Sequence, residues 1–406
     1  MQDIFEHGNN IVGNKVFEYM IYIYFQIQMS CRCMWRNRTV LPITLILSSC
    51  SLGIIALSLY KNDVTRRDLI FDKENDLFAR SVGIIIESNQ DSATKIKTTH
   101  SLNVGDVALL TLFTSWIDRK DKYIVHNRTL ENWISFSPYV NPLIFTNNSQ
   151  LGDQCRQKRW NVLPLKHTAV EGVPVVKYMY LDAMHHFKSL FYAFANSDIL
   201  FNDGLIKTLI TVREFVKVTD VPVLITGRRV NVDYKVPCNA SDWENITRVS
   251  KKGELVKPDS ADYFITTKHY PWQEMDEIII GRIRIDNWII QFSQIKNVTV
   301  IDATSTILAL HQTTETGNSE SAMQKDEFYN DNIIRTVRHM TINLNQGQTD
   351  CAQFITNFTR LNQVRLVRQT QHIKCKSDTS SMTENRILYA LIMKWMFCYF
   401  VLLISK

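Results

Sequence analysis

Three short stretches of the sequence put charged or metal-ligating side chains where an apolar run stops. Asn196-Ser197-Asp198 closes the apolar run that begins at Tyr192. A carboxylate at a strand end reaches both a divalent cation and a diphosphate bridged by that cation, because Mg²⁺ and Mn²⁺ take oxygen ligands. The same Asp198 also suits a turn or the cap of a following helix. Gly227-Arg228-Arg229 follows Val223-Leu224-Ile225. Guanidinium forks match phosphate oxygens, and two adjacent arginines also suit a solvated basic turn. Gly281-Arg282-Ile283-Arg284-Ile285-Asp286-Asn287-Trp288 sets a carboxylate and an aromatic just before another apolar run. Asp286 can take a proton from an acceptor hydroxyl; Trp288 can stack on a sugar or pack in the core. Asp302 ends one further run, and His311-Gln312 ends the run from Thr306 to Leu310. A lone His is most often structural, but this one stands where an imidazole can ligate a Mn²⁺-like ion.

The elements that would position these groups alternate in type. Residues 107–113, 142–145, 222–226, 263–265, 278–280, 288–292 and 298–301 read as short strands or apolar runs of strand length. Thr129 is placed to cap a helix containing Trp133. Tyr180, Met184, Phe187, Phe191 and Phe194 follow helical spacing, a core stripe; the helix is expected to end near Ser189 and a strand to begin at Tyr192. Asp203 precedes a helix carrying Leu205, Leu209, Val212 and Val216. Strands alternating with helices imply an α/β fold with a mainly parallel or mixed sheet. In such sheets ligands bind outside the carboxyl ends of the strands, where these candidates fall.

The rest of the chain bounds where such a domain works. Its 406 residues are 45% hydrophobic and 21% charged, as in folded proteins. A net charge of +6 without any dense Lys/Arg run argues against nucleic acid as a partner. Residues 40–60 form an uncharged apolar run long enough to cross a bilayer, and read as a signal anchor after a cytoplasmic segment, residues 1–39. Asn127, Asn147, Asn239, Asn245, Asn297 and Asn357 begin glycosylation sequons, all beyond that run. They favour a glycoprotein whose larger part is lumenal, in the Golgi or endoplasmic-reticulum membrane. Residues 61–103 suit a stem. Residues 387–406 are again apolar despite Lys394, and read as a second membrane helix, a removed lipid-anchor signal or a buried terminal helix. In an oxidising lumen, Cys155, Cys238, Cys351 and Cys375 are expected to form two disulfides, with pairing open.

The order FANSDILF, LITGRR, ADYFI, GRIRIDNWII and VIDATSTILALHQT resembles a glycosyltransferase-like family of nucleotide-diphospho-sugar transferases. The resemblance spans roughly residues 106–318. It implies a type A glycosyltransferase fold over residues 104–320, with a nucleotide-binding half and an acceptor half. Residues 321–385 would then be a C-terminal extension. It further implies a nucleotide-sugar donor, a glycan, protein or lipid acceptor, and a Mn²⁺ or Mg²⁺ cofactor. Asp198 would hold metal and diphosphate, with Arg228 and Arg229 on phosphate. His311 would complete the metal site and Asp286 would be the acceptor base. Asn196 stands where the family motif has its first Asp; an amide oxygen can ligate but brings no charge. A non-catalytic sugar- or protein-binding relative is the alternative that this substitution favours.

Overall fold

The computed structural model of the chain describes residues 107–315, 320–370 and 375. Its main feature is a nine-stranded mixed sheet. Strands β1 (Ala108–Thr114), β2 (Val140–Phe145), β3 (Asn161–Leu163) and β4 (Ser189–Ala195) run parallel in the order β3-β2-β1-β4. Beyond β4 comes β9 (Tyr263–Thr267), antiparallel to both β4 and β6 (Val223–Thr226). Next are β10 (Thr299–Asp302), parallel to β6, then β12 (Phe354–Phe358) and β13 (Val364–Arg368). A second, four-stranded sheet orders β5 (Ile199–Phe201), β11 (Ala309–Thr313), β7 (Arg229–Asp233) and β8 (Glu254–Leu255). A large mixed sheet with flanking helices is the α/β architecture that the alternation of strands and helices implied.

Alternation along the central strands divides the core into two layers. Phe191, Ala193 and Ala195 of β4 face one layer, and Tyr192 and Phe194 face the other. Ile225 and Leu224 of β6, and Ile265 and Phe264 of β9, divide in the same way. The first layer is closed by α1 (Tyr123–Ile134), α2 (Ser149–Gln157) and α4 (Gly204–Thr219) through Trp133, Leu151 and Leu209. The second is closed by α3 (Val176–His186), α6 (Ile285–Ile295) and α7 (Tyr329–Arg338) through Tyr180, Trp288 and Ile334. The short α5 (Trp243–Ser250) packs Ile246 and Val249 under the small sheet. Each large apolar side chain buried this way is worth roughly 1.5–3 kcal/mol over exposure. Strands covered on both faces explain the continuous apolar runs in the sequence.

Several expectations change here. Thr129 is buried in the middle of α1, not at its start; its hydroxyl donates to the carbonyls of Val125 and Ser197. The run Trp288–Phe292 is helical, because Ile285, Trp288, Ile289 and Phe292 fall on one face of α6. Residues 278–280 form no strand; Ile279 makes only an isolated bridge to Val175. Residues expected to be an extension supply β12, which pairs with β10 inside the large sheet. The expected anchor, stem and C-terminal apolar segment lie outside the described residues. Among the described residues, no helix is long and apolar enough to cross a membrane.

One disulfide forms where two were expected, joining Cys351 to Cys375 across a sequence separation of 24. Cys155 is buried on α2 against the first core layer, and Cys238 lies beside the small-sheet cluster. These two thiols belong to different clusters and are unpaired. Closing a loop of that size restricts the unfolded chain by roughly 3 kcal/mol. The double variant Cys351→Ser/Cys375→Ser is therefore expected to lose about 3 kcal/mol in denaturant unfolding; an unchanged midpoint would contradict this.

Asp286 belongs to the first turn of α6, where its carboxylate accepts from the backbone N–H groups of Ala261 and Asn287. Burial pushes this carboxyl up to about 7; the two backbone donors act the other way, and the nearby Asp262 charge adds to the rise. An unfolded Asp ionises near 3.9. Between about pH 4 and 7 the folded chain therefore holds a proton that the unfolded chain has lost. Its contribution must fall as pH rises through that window, by at most about 1.4 kcal/mol per pH unit. Unfolding free energy of the parent, measured relative to Asp286→Asn from pH 4.5 to 7.5, is expected to decline with pH. A flat difference would show that Asp286 ionises normally in the fold.

Candidate functional site

Strands β1, β2 and β4 are parallel, so their carboxyl ends open on one side of the sheet. A cleft of about 490 Å³ lies there, lined by Thr114 at the end of β1 and Trp116 beyond it, by Asn148 after β2, and by Asn196 and Asp198 after β4. This is where open α/β sheets bind ligands. The turn carrying Asp198 is fixed by backbone. Asn196 N–H donates to the Asp262 carbonyl, and Ile199 N–H to that of Asn196. The Asp198 carbonyl accepts from Gln312 N–H.

That last bond belongs to a longer register. Strand β5 pairs antiparallel with β11, setting Ile199 opposite His311. The pairing carries the His311 imidazole to the residue before Ile199, and Nε2 stands 3.3 Å from Asp198 Oδ2. The other oxygen, Oδ1, is buried without a hydrogen-bond partner. Burial alone would raise the Asp198 pKa, but His311, Lys122 and Arg229 outweigh it and hold it down to about 2. Burial would lower the His311 pKa, yet the Asp198 carboxylate raises it above its ordinary value. Asp198 is therefore held as the carboxylate, with one oxygen against His311 and the other buried without a hydrogen-bond partner.

The donor set fits a divalent cation of mixed preference. Asp198 offers an orphaned carboxylate oxygen and His311 an imidazole nitrogen. Ligands at right angles around an ion with bonds near 2.1 Å stand about 3 Å apart, close to the observed separation. An imidazole favours Mn²⁺ over Mg²⁺. Asn196 lines the same cleft and can add only a neutral amide oxygen. Among the described residues, three His, Cys, Asp or Glu side chains converge only at Asp350, Cys351 and Cys375, where the disulfide consumes both thiols.

The expected phosphate arginines lie elsewhere. Arg228 donates its backbone N–H to Thr304 Oγ1 and its side chain to the Val256 carbonyl. Gly227 precedes it because a Cβ there would stand 2.3 Å from Tyr263 Oη. Arg229 opens β7, and its Nη1 lies 2.7 Å from both oxygens of Asp262. Neither arginine lines the cleft. Arg119, Lys122 and Arg282 do. Lys122 and Arg119 both pair with Glu320, and Arg282 pairs with Asp326 at 2.8 Å. Asp286 is likewise absent from the cleft lining, with both oxygens engaged by backbone. The structure thus brings Asn196 and Asp198 to the cleft and sets His311 against Asp198, though not in the cleft lining, and leaves Arg228 and Asp286 apart from them.

Sequence reasoning missed two features of the cleft. His126 lies on α1 beneath Trp116, the rings stacked with centroids 4.8 Å apart. Burial drives its pKa down to about 4, leaving a neutral ring near Asp198. Glu171 lines the wall in the left-handed region, at φ 52. A non-glycine residue there costs roughly 1–2 kcal/mol, and such strain gathers at functional sites.

No family model matches the chain, and no curated protein matches it. Among solved structures, it is similar to S. aureus TarS 1–349, 15% identical over 31% of this chain and 42% of that one, with a TM-score of 0.20. It is also similar to the inositol-1-phosphate CTP transferase from T. maritima, 12% identical over 56% and 95%, with a TM-score of 0.30. A third is CMP:2-keto-3-deoxy-manno-octonic acid synthetase complexed with CTP, 7% identical over 58% and 100%, at 0.26. The chain spans less than half of the TarS structure it matches. At these scores the similarities assign no activity to this chain.

Proposed function

We propose that the chain is a glycosyltransferase that moves a sugar from a nucleotide-sugar donor to a glycan, protein or lipid acceptor. The observation that carries this reading is Asp198, half-buried in the cleft lining, with one buried oxygen unpartnered and the other against His311. A Mn²⁺-like ion held by Asp198 and His311 would offset the charge that develops on the leaving diphosphate. Lys122 and Arg119 orient that diphosphate through their cationic heads, and Trp116 offers an aromatic face beside it. Glu171 is exposed on the cleft wall and takes the proton of the acceptor hydroxyl, the role the sequence suggested for Asp286. The apolar run at 40–60 anchors the enzyme, with the domain in the Golgi or endoplasmic-reticulum lumen.

Asn196 favours a second reading, a lumenal protein that binds a sugar or protein ligand in this cleft without turnover. The two separate in one assay. Full-length chain in detergent is offered a panel of nucleotide sugars with Mn²⁺ or with chelator, and free nucleotide is followed. Metal-dependent release from one donor is expected, with a loss of at least about 100-fold in Asp198→Ala and an unchanged melting temperature. Release that persists in Asp198→Ala would sink the enzyme reading as assigned. Glu171→Gln tests the base: kcat is expected to fall about 100-fold or more with KM for the donor retained. A kcat near the parent value would move the base elsewhere.

A further inference from the structure

Behind His311 lies a chain of side chains of which the sequence singled out only Arg229, and for another role. Strand β7 runs parallel to β11 with Asn231 directly opposite His311. His311 Nδ1 lies 3.0 Å from Asn231 Oδ1. Arg229, two residues earlier on β7, donates from Nε to the same Oδ1 at 3.0 Å. Arg229 is itself held by Asp262.

These contacts fix a tautomer. A guanidinium has donors only, so the amide atom that receives Arg229 Nε–H must be the oxygen. An oxygen that faces His311 Nδ1 requires that nitrogen to carry the hydrogen. Thr313 Oγ1, 3.1 Å from Nδ1, is a second group able to accept it. In the neutral ring, Nε2 then presents its lone pair towards Asp198 Oδ2, 3.3 Å away. A lone pair set against a carboxylate is a repulsive contact unless a proton, as in the imidazolium, or a metal cation lies between them. Histidines that ligate metals owe their ring orientation to an acceptor on the other nitrogen.

We infer that Asn231, oriented by Arg229, is a positioning residue that locks His311 in the Nδ1–H tautomer and so aims Nε2 into a cation site shared with Asp198. The inference rests on the proposed reading of Asp198 and His311 as metal ligands. It gives Arg229 a role different from phosphate binding: its cation orients an amide, which orients an imidazole. Asp262 completes the chain by offsetting the arginine charge.

The test is Mn²⁺ binding by full-length chain in detergent, read from the electron-paramagnetic signal of free Mn²⁺, with no donor present. Asn231→Leu is expected to weaken binding about 10- to 100-fold. Asn231→Asp, which keeps an acceptor at the same place, is expected to bind at least as tightly as the parent. Parent-like binding by Asn231→Leu, or equal loss in both variants, would overturn the positioning role while leaving the metal site standing. A parent that takes up no Mn²⁺ would overturn the role and the metal site together. Should Asn231→Leu not fold, ring nitrogen shifts of the parent bound to diamagnetic Zn²⁺ decide the matter, with His311 assigned from His311→Gln. Protonated Nδ1 with metal on Nε2 is expected, and the reverse arrangement overturns the inference.

Discussion

The pairing of Ile199–Phe201 with Ala309–His311 is the contact on which the cleft depends. It is short and joins segments far apart in the chain, so its loop-closure entropy must be offset elsewhere. The two apolar layers around the large sheet do this, because β4 leads directly into the Asp198 turn and cannot shift without exposing Phe191 or Phe194. A slip of one residue between β5 and β11 would turn His311 to the opposite face of the small sheet. Asp198 would keep its place and lose its imidazole. The chemistry of the site is therefore set by strand register.

Much of this architecture is legible in the sequence, and its failures have physical causes. β1, β2, β4, β6, β9 and β10 all fall on largely apolar runs, since strands buried on both faces leave few polar positions, such as Thr111 in β1 and Asn141 in β2. The run at Trp288 misled because a few consecutive apolar residues suit a buried strand and a buried helix equally. The spacing of Ile285, Trp288, Ile289 and Phe292 was the discriminating signal. Asp203 does stand at the start of α4, but it pairs with Lys207, while Asn202 Oδ1 accepts from Gly204 N–H. The turn bearing Asn196 and Asp198 was readable because a strand end is a local feature. Arg229 was not, because its partners Asp262 and Asn231 are set by tertiary packing and strand order. Glu171 gave only a weak turn signal, the Gly172 that follows it and is also at positive φ, and nothing that pointed to a site.

Charge inside the small-sheet region is arranged at some expense. Asp198 keeps an unpartnered buried oxygen, and a buried acceptor left unsatisfied costs about 1–3 kcal/mol. Asp286 sits where its ionised form is disfavoured. Tyr263 Oη is buried without a partner, hard against Gly227. Stability resides in the apolar layers, against which these polar exceptions are tolerated.

Glu320 adds a property of the cleft that its shape alone does not reveal. It pairs with Lys122, whose side chain is only 11% exposed, and its own side chain is 32% exposed. The cleft thus carries an internal counterion, and its cations are neutralised before any ligand arrives. An anion settling on Lys122 must exchange with that carboxylate, so its gain is a difference between two ion pairs and not a whole one. A single weak carboxylate would gain little by the exchange. A group with several close negative oxygens would gain more, and the built-in competitor thereby acts as a filter on charge density.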